Sequence, residues 1–372
     1  MTTTGASAVK IRRDISPPGY RDAVPSIPNS SPRLTVAEAG ERETLRRLLT
    51  HLPEGDALLG PGDDAAVLAA PDQRVVISTD TMIEGADFRL EWSTPEQLGR
   101  KAVASNLADI AAMGARPTGL VVALAVPRDT PVDFVEGLAR GLAIGLERLA
   151  PGVGVVGGDL ATSPVVTIAV TVFGSMDGLD PVLRSGARPG DVVAVAGDMG
   201  RAAAGLRLLF SGVDAQGRDA QSGTVDEASA SLVRAQLAPE PPLYAGVAAA
   251  RAGSTAMMDL SDGPLLDATR LATASGVTIA IGSQTVAADV EHLRAPLERA
   301  FGLDAEGTDA LALRLVLGGG EDHALLATFP ADAQLPEPFR AIGRVLENLD
   351  APVLVDGEVA QPDGWDPYIG VE

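Results

Sequence analysis

The chain contains no cysteine. That excludes a disulfide framework, a thiolate nucleophile and a zinc–thiolate site together. His51, His292 and His323 are the only histidines, too few and too scattered for an imidazole-based metal site. Lysine is confined to Lys10 and Lys101, so a Gly-x-x-x-x-Gly-Lys-Ser/Thr phosphate loop is ruled out; no His-Arg-Asp or Asp-Phe-Gly kinase motif is present either. No run approaches the roughly 18 apolar residues of a membrane span. The formal net charge of −21 argues against nucleic acid or an anionic membrane as a partner.

What is present is enough apolar sequence, 46% of 372 residues, for two domains with sizeable cores. Residues 1–34 are rich in Pro, Ser and Thr and have little apolar periodicity. They carry Lys10, Arg12 and Arg13 without a following apolar stretch, so a mobile tail is expected rather than a signal peptide, and a cytoplasmic location follows as the default. Deletion of residues 1–32 is expected to leave activity and melting temperature nearly unchanged. A large drop in melting temperature would show instead that this segment docks on the body.

Beyond residue 34, α/β alternation predicts two domains, 35–174 and 175–372, with a turn-rich boundary over 174–190. Thr94-Pro95-Glu96-Gln97 is a strong helix start: Thr as N-cap, Pro at the first position, Gln at the third. That helix is expected to end at Gly114. Strands are expected over 74–79, 120–126, 153–156, 165–173, 192–196, 255–258, 277–281, 325–329 and 342–345. Helices are expected over 36–52, 131–149, 201–210, 241–251, 264–274 and 288–301.

Six short acidic motifs punctuate this pattern: Gly62-Asp63-Asp64, Ser78-Thr79-Asp80-Thr81, Asn106-x-x-Asp109, Gly157-Gly158-Asp159, Asp259-Leu260-Ser261-Asp262-Gly263 and Gly319-Gly320-Glu321-Asp322. Carboxylates at the ends of buried elements are costly unless something cationic sits among them. Little positive charge lies near them in sequence, and hard oxygen ligands suit magnesium. Several such ions suggest a polyphosphate, and hence an ATP-using enzyme.

Each motif alone also has a structural reading. Ser78-Thr79-Asp80 closes a strand and could be a simple turn. Asp109 shares a helix face with Ser105 and Asn106 amid apolar neighbours. Ser261 and Asp262 are placed to cap the helix that Pro264 opens, a terminus that also suits phosphate, which leaves Asp259 as the better metal ligand. The glycines at 318–320 form either a flexible loop or a close approach to a ligand. Trp365 and Tyr368 could merely seal a core edge. Gly152-x-Gly154-x-x-Gly157 matches the dinucleotide fingerprint in letters only, because Pro151 and a helix precede it and a strand follows. The better expectation there is a short strand ending in a Gly-Gly-Asp turn.

Taken together and in this order, Gly-Asp-Asp-Ala-Ala-Val, Ile-Ser-Thr-Asp-Thr, Asn-Leu-Ala-Asp-Ile-Ala-Ala-Met-Gly-Ala, Gly-Gly-Asp, Arg184-Ser-Gly-Ala-Arg-Pro-Gly-Asp191, Asp-Leu-Ser-Asp-Gly and Gly-Gly-Glu-Asp resemble bacterial thiamine-monophosphate kinases. That family belongs to the aminoimidazole-ribonucleotide-synthetase-like superfamily, and the match runs from about residue 35 to the C-terminus. The resemblance implies an α/β (α+β type) fold of two domains and a homodimer paired through the N-terminal domains. It implies ATP as co-substrate, bound between the domains, several Mg2+ ions, and thiamine monophosphate as acceptor.

By the same resemblance, Asp64, Ser78, Thr79, Asp80, Asp109, Asp159, Asp259 and Asp262 are the expected metal ligands. Gly158, Asp159, Arg184 and Ser261 are the expected nucleotide contacts. Asp80, Asp159, Arg184 and Asp262 would carry catalysis, while Asp87, Glu321 and Trp365 would meet the thiamine phosphate. The sequence departs from the family at Asp87, where many relatives have His, and at His323-Ala324, where Tyr-Glu is common. Absence of cysteine disfavours the selenophosphate-synthetase and hydrogenase-maturation branches. Aminoimidazole-ribonucleotide synthetase, or a nucleotide sensor without turnover, stays open at this point.

Overall fold

In the computed structural model, which describes residues 34–53, 55–61, 65–219, 223–361 and 364, Thr35 and Thr94 open helices in the same way. Each hydroxyl accepts the backbone N–H three residues on, and the side chain there, Glu38 or Gln97, accepts the Thr N–H in return. This reciprocal box satisfies two of the four orphan donors of a helix start. The helices are α1, Val36–Leu49, and α2, Pro95–Ala112. α2 stops as expected, with Met113 as its C-cap and Gly114 at a φ of 74°.

The first sheet holds β1 (Val76–Ile83), β2 (Arg116–Val126), β3 (Val155–Thr162) and β4 (Thr167–Ser175), in the order β1-β4-β2-β3. Period-two alternation decides its two faces. Ile168, Val170 and Val172 of β4 and Leu120, Val122 and Leu124 of β2 are buried on one side. α2 and α3 (Val132–Leu149) contribute Leu98, Leu107, Ile110, Leu138 and Leu146 to the same core. The opposite side leaves Ile77 60% and Ile83 42% exposed, with Thr79, Thr81, Ala123 and Asp159 also at the surface.

The second sheet has seven strands: β5 (Val192–Ala196), β6 (Ala256–Leu260), β7 (Thr278–Ile281), β8 (Ala324–Phe329), β9 (Arg340–Leu346), β10 (Val353–Val355) and β11 (Glu358–Val359). Its order is β11-β10-β7-β9-β5-β8-β6. Around it lie α4 (Arg201–Phe210), α5 (Glu227–Leu237), α6 (Tyr244–Arg251), α7 (Pro264–Ser275), α8 (Ala287–Phe301) and α9 (Ala305–Gly318). Helix α2 packs on β6 and β8 as well as on its own sheet. Leu107 and Ile110 therefore share one core with Met257, Leu325 and Phe329. Among the described residues no helix is long and apolar enough to cross a membrane.

Several expected boundaries shift. β1 continues through Ser78-Thr79-Asp80 instead of closing there, and β3 runs through Gly157-Gly158-Asp159 instead of turning. β6 contains Asp259 rather than ending before it. In each case cross-strand pairing overrode the turn propensity of Gly, Asp and Ser. Helices α5 and α9 and strands β10 and β11 were not expected. Gly307 and Thr308 weaken the first turn of α9, yet Asp304 caps it by accepting the Gly307 N–H at 2.9 Å.

Candidate functional site

The acidic strands β1, β3 and β6 are all sheet edges, where a charged side chain has solvent on one flank. Ser78 and Asp80 lie on the β1 face that looks toward α2. Ser78 Oγ donates to Asp109 Oδ2 at 2.5 Å, which ties β1 to that helix. Because α2 also lies on β6, Asp259 arrives at the same place from the second sheet, 4% exposed.

These carboxylates feel one another. Burial, then the charge of Asp259, pushes Asp109 up to about 6, against the Ser78 hydrogen bond. Asp80 is raised by desolvation and by Asp259 and Asp262, with His323 opposing. His323 is 6% exposed, and its Nδ1 lies 3.6 Å from Asp259 Oδ2 without a hydrogen-bond partner. Burial would lower its pKa, but Asp259 raises it above the ordinary value. Arg270 spans Asp262 at 2.5 Å and Asp267 at 2.7 Å. Among the described residues no three acidic or imidazole side chains already converge as a ligand shell. The cluster is an electronegative spot in which Asp80 and Asp109 have raised carboxyl pKa values. A hard cation would have to complete its coordination there with water and ligand oxygens, as magnesium characteristically does.

The loops beside the cluster are packed backbone to backbone. A Cβ at Gly320 would lie 2.4 Å from Ser261 O, and one at Gly263, where φ is 121°, would lie 2.6 Å from Gly318 O. The glycine run is thus a close approach rather than a flexible loop. Ser261 and Asp262 do not cap α7 with their side chains. Asp267 holds that turn instead, accepting N–H groups from Asp262 and Gly263, both at 3.1 Å. Asp322 plays a similar part at the start of α4, accepting from Gly200 N at 2.5 Å and Ala202 N at 2.7 Å. Burial pushes Asp322 up to about 7 and Asp267 to about 6, with these backbone donors opposing.

Next to the cluster is a cavity of about 310 Å³ whose walls include Asp87, Trp92, Lys101, Phe210, Gln236 and Glu321. Trp92 and Phe210 meet edge to face at 4.9 Å, and the Arg89 guanidinium lies 4.6 Å from the Trp92 ring centre. Asp87 accepts the Ile83 N–H at 2.7 Å, holding the Gly85 turn. Glu321 is bound by Lys101 at 2.9 Å and by Gln236 Nε2. Desolvation works against it, but Lys101 holds its carboxyl below the usual range.

Ser78, Asp80, Asp109, Asp259 and Asp262 are thus brought to one region, with Ser261 alongside and Asp87 and Glu321 in the adjoining cavity. Thr79 is not brought in by its hydroxyl, which points the other way and donates to Val170 O at 3.0 Å. Gly158 and Asp159 lie on β3, at the opposite edge of the sheet from β1. Asp159 is in register with Ala123, Ala169 and Thr81, on the face away from α2. Three strand spacings put it about 14 Å from β1. Arg184 is exposed beside the free edge of β6, where its neighbour Leu183 accepts the Met257 N–H at 3.1 Å. Asp64 and Trp365 lie outside the described residues, as do Asp63 and residues 1–33.

Lys101, His323 and Asp267 were not singled out from sequence as site residues. Lys101 left a signal, a lone lysine in an apolar helix of a lysine-poor chain. The other two depend on which loops fold together; His323 stood out only as a departure from the family pattern, and nothing local announces Asp267.

Comparison with known proteins places this geometry. The model described as AIR synthase related protein, N-terminal domain, matches residues 62–176. The thiamine-monophosphate kinase of Mycobacterium tuberculosis is 43% identical over 346 residues, covering 93% of this chain and 94% of the relative. A solved thiamine monophosphate kinase from Aquifex aeolicus superposes with a TM-score of 0.66 at 30% identity, over 79% of this chain and 92% of that one. A structure described as AaThiL complexed with AMPPCP and TMP gives 0.67 at 28% identity, over 88% and 97%.

Proposed function

The chain belongs to the thiamine-monophosphate kinase family, and from that premise we infer that it transfers the γ-phosphate of ATP to thiamine monophosphate, giving thiamine diphosphate and ADP. One observation carries the reading within the molecule. Asp80 of β1, Asp109 of α2, Asp259 of β6 and Asp262 of the loop that follows it are gathered in one region beside a cavity lined by Asp87 and Glu321. The acceptor's phosphate oxygen is already anionic near neutral pH, so no strong general base is needed. The rate then rests on alignment and on balancing charge at the transferred group.

The donor set fits magnesium: carboxylates, of which burial raises the pKa of Asp80 and Asp109, one hydroxyl and no thiol. Bound there, magnesium neutralises and orients the phosphates. Ser78, Asp80, Asp109, Asp259 and Asp262 would hold it, with Asp64 and Asp159 completing the set, while Thr79 has only its main-chain oxygen to offer. Gly158, Arg184 and Ser261 would contact the nucleotide. In this reading each sheet is the centre of one domain, 35–174 and 175–372, and the enzyme works in the cytoplasm.

The same reading includes a homodimer. β1 and β3 are the free edges of a four-stranded sheet whose outer face exposes Ile77 and Ile83. Pairing β1 with β3 of a second copy would close an eight-stranded barrel, bury that face and remove both edges. It would also set the β3 edge that carries Asp159 of the partner subunit beside the β1 edge that carries Asp80, which strand order keeps apart within one chain. Asp159 would then stand at the edge of the neighbouring site.

An ADP-release assay with and without thiamine monophosphate tests the reaction. ADP formation that requires the acceptor is expected, and nucleotide binding without turnover would overturn the reading. Trp365→Ala is expected to weaken thiamine monophosphate far more than ATP, because a thiazolium over an indole gains about 0.5–2 kcal/mol, roughly tenfold per 1.4 kcal/mol in affinity. Equal losses by calorimetry would assign Trp365 to folding instead.

A further inference from the structure

Lys101 lies on the buried face of α2, 5% exposed, with Nζ 2.9 Å from Glu321 Oε1. A lysine is almost never buried unless paired. A purely structural account makes this ion pair a tie between α2 and the Gly-Gly-Glu-Asp loop. Glu321, however, is held without it. Its second carboxylate oxygen accepts from Gln236, and its N–H donates to Ser261 O at 2.8 Å. The ammonium group has three donors, and Glu321 engages one of them.

The position of Lys101 is what gives it a task. It lines the cavity that holds Asp87, Trp92 and Phe210. Ser105 Oγ donates to Lys101 O at 3.1 Å, and Ser105 and Asp109 follow it at successive four-residue steps on one stripe of α2. Eight residues of helix span about 12 Å, so a single stripe runs from the cavity to the carboxylate cluster. An acceptor whose ring occupies the cavity must carry its phosphate toward four carboxylates. Arg89 also lines the cavity but lies over the Trp92 ring, whereas Lys101 sits on the stripe that leads to the carboxylates, and a lysine binds phosphate as a compact point charge.

We propose that Lys101 recognises the phosphate of the acceptor, so that the enzyme distinguishes phosphorylated from unphosphorylated thiamine. Glu321 positions the ammonium group until the phosphate arrives and stays fixed by Gln236 afterwards. This inference rests on the reading of thiamine monophosphate as the acceptor.

Calorimetric titration of the full chain with thiamine monophosphate and with thiamine, in the presence of a non-hydrolysable ATP analogue and magnesium, tests it. The wild type is expected to prefer the phosphorylated ligand. Lys101→Met is expected to cut that preference at least tenfold while leaving thiamine affinity in place, and Lys101→Arg to retain part of it. An unchanged preference in Lys101→Met, or equal weakening of both ligands, overturns the proposal. If the Met variant does not fold, the Arg variant decides by the same ratio: an intermediate preference supports the proposal and an unchanged one overturns it. A wild type that binds neither ligand sinks the thiamine reading and this inference together.

Discussion

The Asp80→Asn and Asp159→Asn variants should each lose activity by on the order of 10²–10³-fold, the cost of removing one preorganised charge-stabilising group from a phosphoryl-transfer site. Mixed dimers carrying one chain of each variant should recover about half of wild-type activity. The reason is the sheet order. Asp80 is on β1 and Asp159 on β3, at opposite edges and on opposite faces. If each site takes its β1 carboxylate from one chain and its β3 carboxylate from the other, a mixed dimer holds one doubly substituted site and one intact site. Co-expression with two different tags, followed by tandem purification, isolates that species. Absence of recovery would place both carboxylates in a site made by one chain. Full activity of Asp159→Asn alone would remove it from the site.

In divalent-free buffer the melting temperature should fall as pH rises from about 5 to 8, and magnesium should restore it at pH 8 far more than at pH 5.5. Asp109 and Asp267 titrate at about 6 and Asp322 at about 7 in the folded chain, against 3.8 for an ordinary aspartate. A raised folded pKa means that the protonated form stabilises the fold. The contribution is complete below about pH 4 and is lost as pH passes through 6 to 7. His323, raised by Asp259, acts in the same direction. A shift from 3.8 to about 6 corresponds to about 3 kcal/mol for one isolated group, and coupling among the carboxylates makes the sum smaller than the parts. Magnesium would replace the protons as the neutralising charge, adding about 2.7 kcal/mol at a hundredfold excess over its dissociation constant. Scanning calorimetry with EDTA or magnesium at both pH values reads this directly. Equal magnesium shifts at the two pH values would show that the ions bind away from these carboxylates.

Much of this protein was legible in its sequence because the relevant physics is local. The capping box of Thr94 and Gln97 and the stop at Gly114 needed only a few consecutive residues, and α2 formed where they placed it. The absence of cysteine and the near absence of lysine closed off whole chemistries. The acidic motifs, in their order, named the family later shown by identity over most of the chain. Local propensity failed where strand pairing decided the outcome. Ser78-Thr79-Asp80 and Gly157-Gly158-Asp159 look like turns, but neighbouring strands supplied enough hydrogen bonds to extend them. Which motifs meet was a further question that only tertiary structure answered. Asp80 joins Asp259 from far along the chain because α2 packs on both sheets, whereas Asp159, nearer in sequence, is carried to the opposite edge by the order β1-β4-β2-β3. The ion pair of Lys101 with Glu321 and the contact of His323 with Asp259 arise from the same packing. Residue types fixed what chemistry was available; strand order and helix packing decided which of those residues could share it, since electrostatic coupling depends on distance through space and not along the chain.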